Sequence, residues 1–347
     1  MKPFKNSIRA VGGLALLLTL ASATIARAAG PAVEIKLGTI IPSGTSYHQA
    51  LLQMGEKWRN APGGGAKLII YPDGRQGGEA AMVRKMRAGQ LNAAMLSVIG
   101  LSDIDPSVAC LQKMPMMFRT WEEVDYVREK LRPQLDKRLS DKGFAAICWG
   151  DVGWVRYFSK TPAVHPDDFK KQKIFVWAGD PSHVDIMKTL GYQPIGLETA
   201  DILPGLQTGL ITCVPTTPFF ALAGQFDTVA PNMLDMNWVP VVGATIVRKD
   251  AWDKIPAEAR KVVLDAADEA GRKIRLAGRT ENDDAVKAMQ KRGLKVNAAT
   301  PQALEEWRKL AETTYPQIRG KIVPTDLFDE VEHLLKDFRA SGKVAHQ

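Results

Sequence analysis

Between Pro256 and Arg292 the chain runs without an interior proline, and apolar residues return at Val262, Val263, Ala266, Ala270, Ile274, Leu276 and Ala277. That spacing is the stripe of an amphipathic helix. Pro256 suits a first helical turn and Gly293 a stop. A continuous helix over the stretch is about 50 Å long at 1.5 Å per residue, wider than one small domain. It therefore needs two bodies to lie against. Gly271 and Gly278 are the positions where it would kink or split.

The rest of the chain supplies two such bodies. Val33 to Leu37 alternates as a half-buried strand does. Pro42 to Thr45 breaks it, and Thr45 caps a predicted helix through Trp58. Lys67 to Tyr71 reads as a strand ended by Pro72-Asp73-Gly74, followed by a helix from about Gly78 to Ala88 and a short strand, Asn92 to Leu96. A second block repeats the alternation. Strands are expected at 143–149, 154–159, 173–177 and 210–214, with helical segments at 166–169, 181–190 and about 201–208. Strand and helix in alternation predict an α/β fold with parallel sheet rather than a sandwich. At 347 residues and 45% hydrophobic, the chain is long enough for two cores of ordinary size.

The first residues belong to neither body. Lys2, Lys5 and Arg9 precede an apolar run from Ala10 to Ala21, and Ala26-Arg27-Ala28 is a small-x-small site. This is the pattern of a signal peptide cleaved after Ala28, and the run falls short of the roughly 20 apolar residues of a spanning helix. A periplasmic location follows. The leader carries four of the net +8 charges, leaving +4 on the mature chain. With no Lys/Arg block, nucleic acid is a poor partner. Cys110, Cys148 and Cys213 all sit in apolar contexts, which reads as buried thiols; a Cys110–Cys148 bridge stays open.

An exported enzyme is the rival class. The chain has no Gly-x-Ser-x-Gly, Cys-x-x-Cys, Walker or dinucleotide glycine motif. Its histidines (His48, His165, His183, His333, His346) lack metal-ligand spacing, so no metal, cofactor or catalytic residue is called for. Asp167-Asp168 and Asp283-Asp284 are adjacent pairs that point apart on a regular element.

Five motifs occur in an order that resembles one family, the DctP-like periplasmic solute-binding subunits of TRAP transporters. They are Ile35-Lys-Leu-Gly38 with His48; Tyr71-Pro-Asp-Gly74 with Gln76-Gly-Gly-Glu79; Gly153 to Lys160; Pro166-Asp-Asp-Phe169; and Leu206-Gln-Thr-Gly209. The resemblance implies a two-lobed periplasmic binding protein (Venus-flytrap) fold with crossing strands and one long helix touching both lobes. It implies a receptor that captures a small organic acid and delivers it to integral-membrane TRAP permease subunits. A receptor of another importer, or of a sensor, would share the same frame. The divisions expected are 1–28 leader, 29–153 plus about 243–280 for lobe I, and 154–242 plus about 281–347 for lobe II.

One departure from the family matters for the ligand. Where the resemblance implies a carboxylate-gripping arginine, the strand reads Lys173-Ile-Phe-Val-Trp177, and Phe175 takes its place. A charge-assisted contact of about 1.5–3 kcal/mol is thereby replaced by an aromatic face. The family's Asp-Gly-Gln-Glu-Asn run is replaced by Thr212 to Thr217, although Gln207 is kept. Arg156 matches the family's other site arginine and is the main candidate for an anionic group; the alternative is an ordinary salt bridge. Trp154, Phe175, Trp177 and Trp238 are candidates for an aromatic cage or for plain core packing. Ser43, Ser97, Thr216 and Thr217 offer hydroxyls for orientation, or else cap turns and helices. Glu79 and Asp201 read as helix starters. The solute expected is an organic acid with an aromatic or apolar portion.

Overall fold

The computed structural model describes residues 33–342, so the leader and its cleavage site lie outside the described residues. Among the described residues eleven strands form two sheets. The first lobe holds β1 (Val33–Thr39), β2 (Ala66–Tyr71), β3 (Ala93–Ser97), β4 (Phe144–Trp154) and β10 (Pro240–Arg248), in the order β2-β1-β3-β10-β4. The second holds β5 (Arg156–Ser159), β6 (Lys173–Trp177), β7 (Gln193–Leu197), β8 (Cys213–Thr216), β9 (Asn232–Asp235) and β11 (Lys295–Ala298), in the order β11-β9-β5-β8-β6-β7. The expected parallel sheet is corrected in one respect. β1 runs parallel to β2 and β3, and β6 to β7 and β8, but β10 and β5 are antiparallel to their neighbours.

Those antiparallel strands carry the chain between lobes. Trp154 ends β4 in the first sheet and Arg156 begins β5 in the second; Asp235 ends β9 and Pro240 begins β10 on the way back. The two crossings stay paired in the gap. Val155 N–H donates to Val239 O at 2.9 Å and Trp238 N–H to Val155 O at 3.2 Å.

The third connection is a single unbroken helix, Ala257–Gln290, of 34 residues. Its buried stripe runs from Ala259 through Val263, Ala267, Ala270, Ile274 and Asn282 to Met289, while Val262 and Leu276 face solvent. The glycines expected to kink it serve close approach instead. A Cβ at Gly271 would sit 3.0 Å from Cys148 Cβ, and one at Gly278 would sit 2.4 Å from Asp151 O. The helix thus settles directly onto β4 where that strand leaves the first sheet. Asn282 fixes the junction: its amide donates to Val152 O (2.8 Å) and accepts from Phe219 N–H (2.9 Å) in the second lobe.

The chain's end departs from the expected division. Helix Pro301–Ile318 starts on the second lobe, where Trp307 is buried against Tyr157, Phe169 and Trp238. The following helix, Thr325–Ala340, returns to the first lobe. Phe328, Val331 and Leu335 join its core, and Arg339 pairs with Glu123 at 2.7 Å. An apolar stripe needs a partner, and the open one lies on helix Trp121–Asp141.

Candidate functional site

Four strands end at one place. Thr39 closes β1, Ser97 β3, Trp177 β6 and Thr216 β8, and all four side chains border the gap between the lobes. Crevices outside the carboxyl ends of strands are where open α/β sheets bind ligands. The cavity here is about 200 Å³. Glu79, Ser97 and the Gly243–Thr245 stretch of β10 form the first-lobe wall; Phe175 to His183, Thr216, Thr217 and Phe220 form the second; Val155, Trp238 and Val239 of the crossings form the floor.

The lobes touch across this cavity. A Cβ on Gly78 would strike the Glu198 carboxylate at 2.2 Å, and one on Gly179 would meet Ala80 at 3.1 Å. Lys113 Nζ of the first lobe pairs with Asp180 Oδ1 of the second at 3.0 Å, both side chains being largely buried. Asp180 also caps helix Pro181–Thr189 through His183 N–H and accepts from Ser182 Oγ at 2.8 Å. Burial pushes the Asp180 carboxyl up, but Lys113, His183 and these hydrogen bonds outweigh it and hold it below the ordinary carboxylate value. Burial lowers the His183 imidazole, with Lys113 adding to the effect and Asp180 opposing it.

Of the residues expected to form the site, Ser97, Phe175, Trp177, Thr216, Thr217 and Trp238 line the cavity. Trp177 stands edge-on to Phe175 with ring centroids 5.0 Å apart. Thr217 also caps helix Pro218–Ala223 through Phe220 N–H, and Ser97 Oγ donates to Glu79 at 2.8 Å while accepting from Ile99 N–H. Ligand-facing and capping readings therefore coexist in these residues.

Four expected residues lie elsewhere. Arg156 is not among the lining residues: it pairs with Asp235 on the neighbouring strand and lies near Asp283 of the long helix. Trp154 packs in the first-lobe core with its ring 4.9 Å from Trp121. Gln207 is exposed on helix Ile202–Thr208. Ser43 is bonded to Asp73, joining two turns at the surface. Of the two expected helix starters, Asp201 is in place and Glu79 takes a further role. Asp201 stands at the start of its helix but makes no side-chain cap bond there. Glu79 instead accepts from Ser97 N–H, Ser97 Oγ and Gly100 N–H, each at 2.8 Å. Burial still raises its carboxyl above the ordinary value.

Sequence reasoning missed Lys113, Asp180 and His183. Asp180-Pro181 carries a helix-start signal that was available. Lys113 lies in an aperiodic stretch and becomes visible only through its partner. The three cysteines are buried free thiols, so the Cys110–Cys148 bridge is not formed. Burial lifts the Cys110 thiol to about 12.

Two α/β lobes, hinged by paired crossings and closed over an apolar cavity at their strand ends, define a solute-binding receptor. The comparisons agree. The chain belongs to the bacterial extracellular solute-binding protein family 7, DctP, whose family model matches residues 37–321. It is 21% identical over 319 residues to the C4-dicarboxylate-binding periplasmic protein DctP of Rhodobacter capsulatus, covering 90% of this chain and 93% of that protein. Two solved TRAP periplasmic solute-binding proteins share its fold. One, from Sulfurospirillum deleyianum with bound succinate, gives a TM-score of 0.80 at 22% identity over 87% of this chain and 99% of that one. The other, from Ralstonia eutropha with bound (S)-2-acetolactate, gives 0.81 at 21% over 88% and 99%. The protein is thus an extracytoplasmic solute-binding receptor of the DctP family. Among the described residues no helix is long and apolar enough to cross a membrane.

Proposed function

We propose that this receptor, exported by a leader cleaved after Ala28, captures a small organic acid with an apolar or aromatic portion and hands it to a TRAP permease. The observation that carries the reading is the closed interlobe cavity, walled by Phe175, Trp177, Phe220 and Trp238 and bridged by Lys113–Asp180. Succinate and acetolactate are the ligands of relatives sharing the fold, which supports an acid. The apolar walls support the second half of the description, since a cavity takes ligands that match its lining.

Lys113 supplies the carboxylate contact in this proposal. It is a half-buried cation in the lining, and one hydrogen bond to Asp180 leaves ammonium donors for a second acceptor. Arg156, committed to Asp235, plays no direct part. Ser97, Thr216 and Thr217 orient the acid by hydroxyl contacts.

Thermal-shift screening against small organic acids tests the proposal, because ligand bound to the folded state raises the melting point. Lys113→Gln is expected to abolish the shift given by an acidic hit, and Arg156→Ala to preserve it. The opposite pattern would return the anchor role to Arg156. No shift from any acid, with saturable binding of uncharged aromatic compounds, would reject the organic-acid reading.

A further inference from the structure

The cavity does not end at the strand termini. On helix Pro181–Thr189 and its cap, His183, Ile186, Met187 and Leu190 all line it. Their spacing of i, i+3, i+4 and i+7 puts them on one helix face. Seven residues of helix give that face a length of about 10 Å. It therefore leads away from the Lys113–Asp180 pair along the whole helix. The opposite wall comes from Pro115 and from Thr314, Ile318 and Ile322 at the end of helix Pro301–Ile318 and in the turn beyond. The one hydroxyl among those four residues is engaged, Thr314 Oγ donating to Ala311 O at 2.6 Å. This arm is apolar along its length.

The charges of the cavity lie at the arm's opening and beyond it. Lys113, Asp180, Ser182 and His183 cluster at that opening. Glu79, on the far wall, has Ser97 and Gly100 as donors, and Glu198 lines the cavity beside Gly78. One lining lysine suits one carboxylate. A dicarboxylate or a sugar acid brings further charges or hydroxyls that the arm cannot hydrogen-bond, and buried polar groups left unpaired are costly.

Resting on the organic-acid reading above, we propose that the solute is an amphipathic monocarboxylate. Its acid group meets Lys113, and its alkyl or aryl-alkyl chain extends along the Ile186–Leu190 face toward Ile318 and Ile322. Closure of the lobes then buries the chain, and burial of each methylene favours binding by about fourfold, the equivalent of about 0.8 kcal/mol.

Isothermal titration of the mature receptor with straight-chain monocarboxylates from acetate to decanoate, alongside succinate and glucuronate, tests the inference. The expected result is an affinity rising about fourfold per methylene through octanoate, with both polar acids weaker than hexanoate. Leu190→Trp and Ile322→Trp, each filling the arm from a different wall, are expected to weaken octanoate binding tenfold or more and to flatten the dependence on chain length. A flat series in the wild-type protein, or tighter binding of succinate or glucuronate than of any long acid, overturns the inference while leaving an organic-acid receptor in place. So does octanoate affinity unchanged by both tryptophan variants. If no carboxylate binds at all, the reading of the preceding section falls with it.

Discussion

A single side chain, Phe175, gives this cleft an aromatic wall. It is buried in the middle of β6, edge-on to Trp177, at the position where the family resemblance implies an arginine. Its aromatic identity was legible in the sequence once the motif order aligned the strand. The cavity-lining Lys113 was not, because it belongs to an irregular segment and acquires meaning only opposite Asp180. Phe175→Ala is expected to cost about 3–5 kcal/mol of stability, read by urea denaturation. The same cluster dictates a pH response. The His183 imidazole lies below its ordinary 6.5, so beneath that pH the unfolded chain takes up a proton that the folded one refuses. Stability then falls as pH drops from about 6.5 toward the folded value, and His183→Gln should remove that part of the decline in denaturation midpoints. Asp180 acts in a separate, more acidic window. Its carboxyl is held below 3.8, so its contribution is complete above that value and disappears only as pH falls through the lower folded one.

Among the elements, the long helix shows best what periodicity can and cannot reveal. Its existence, length and need for two bodies follow from spacing alone. Which apolar residues turn inward does not, since Val262 and Leu276 belong to no buried stripe. Its glycines read as kink points, because their close approach to β4 shows only once the strand is in place. Helix Trp121–Asp141 escaped notice for another reason: Pro133 sits inside it and its surface is mostly polar, although Val124, Val127, Leu131, Leu135 and Leu139 make a continuous inner stripe. Two substitutions test the junction these helices share. Gly278→Ala pushes a methyl group into Asp151 O and should destabilise the protein by about 1–3 kcal/mol, measured by chemical denaturation. Asp151, fully buried, faces Arg128 at 3.4 Å and Arg279 at 3.1 Å. Asp151→Ala removes one of the carboxylates around buried Arg128, which keeps Asp125, and a loss of about 1.5–3 kcal/mol is expected by the same assay.

For the molecule as a whole, the long helix and the strand–helix alternation pointed to two bodies, while the crossing strands and the jaws came only from what the family resemblance implies. The path of the final helix was not, because an amphipathic stripe states that a partner exists without naming it. Across the cavity the lobes meet at Lys113–Asp180 and at the Gly78–Glu198 contact, among others. Lys113→Ala should therefore shift the unliganded receptor toward a more open form, seen as a larger radius of gyration in small-angle scattering.

The return of helix Thr325–Ala340 to the lobe that contains β1 means that the described chain begins and finishes on the same half of the clamp. Fluorophores fused at the two ends would ride together and stay at a constant separation whether the clamp is shut or gaping. A reporter of solute capture must carry one dye inserted within the other half, for instance at the exposed turn around Gly191.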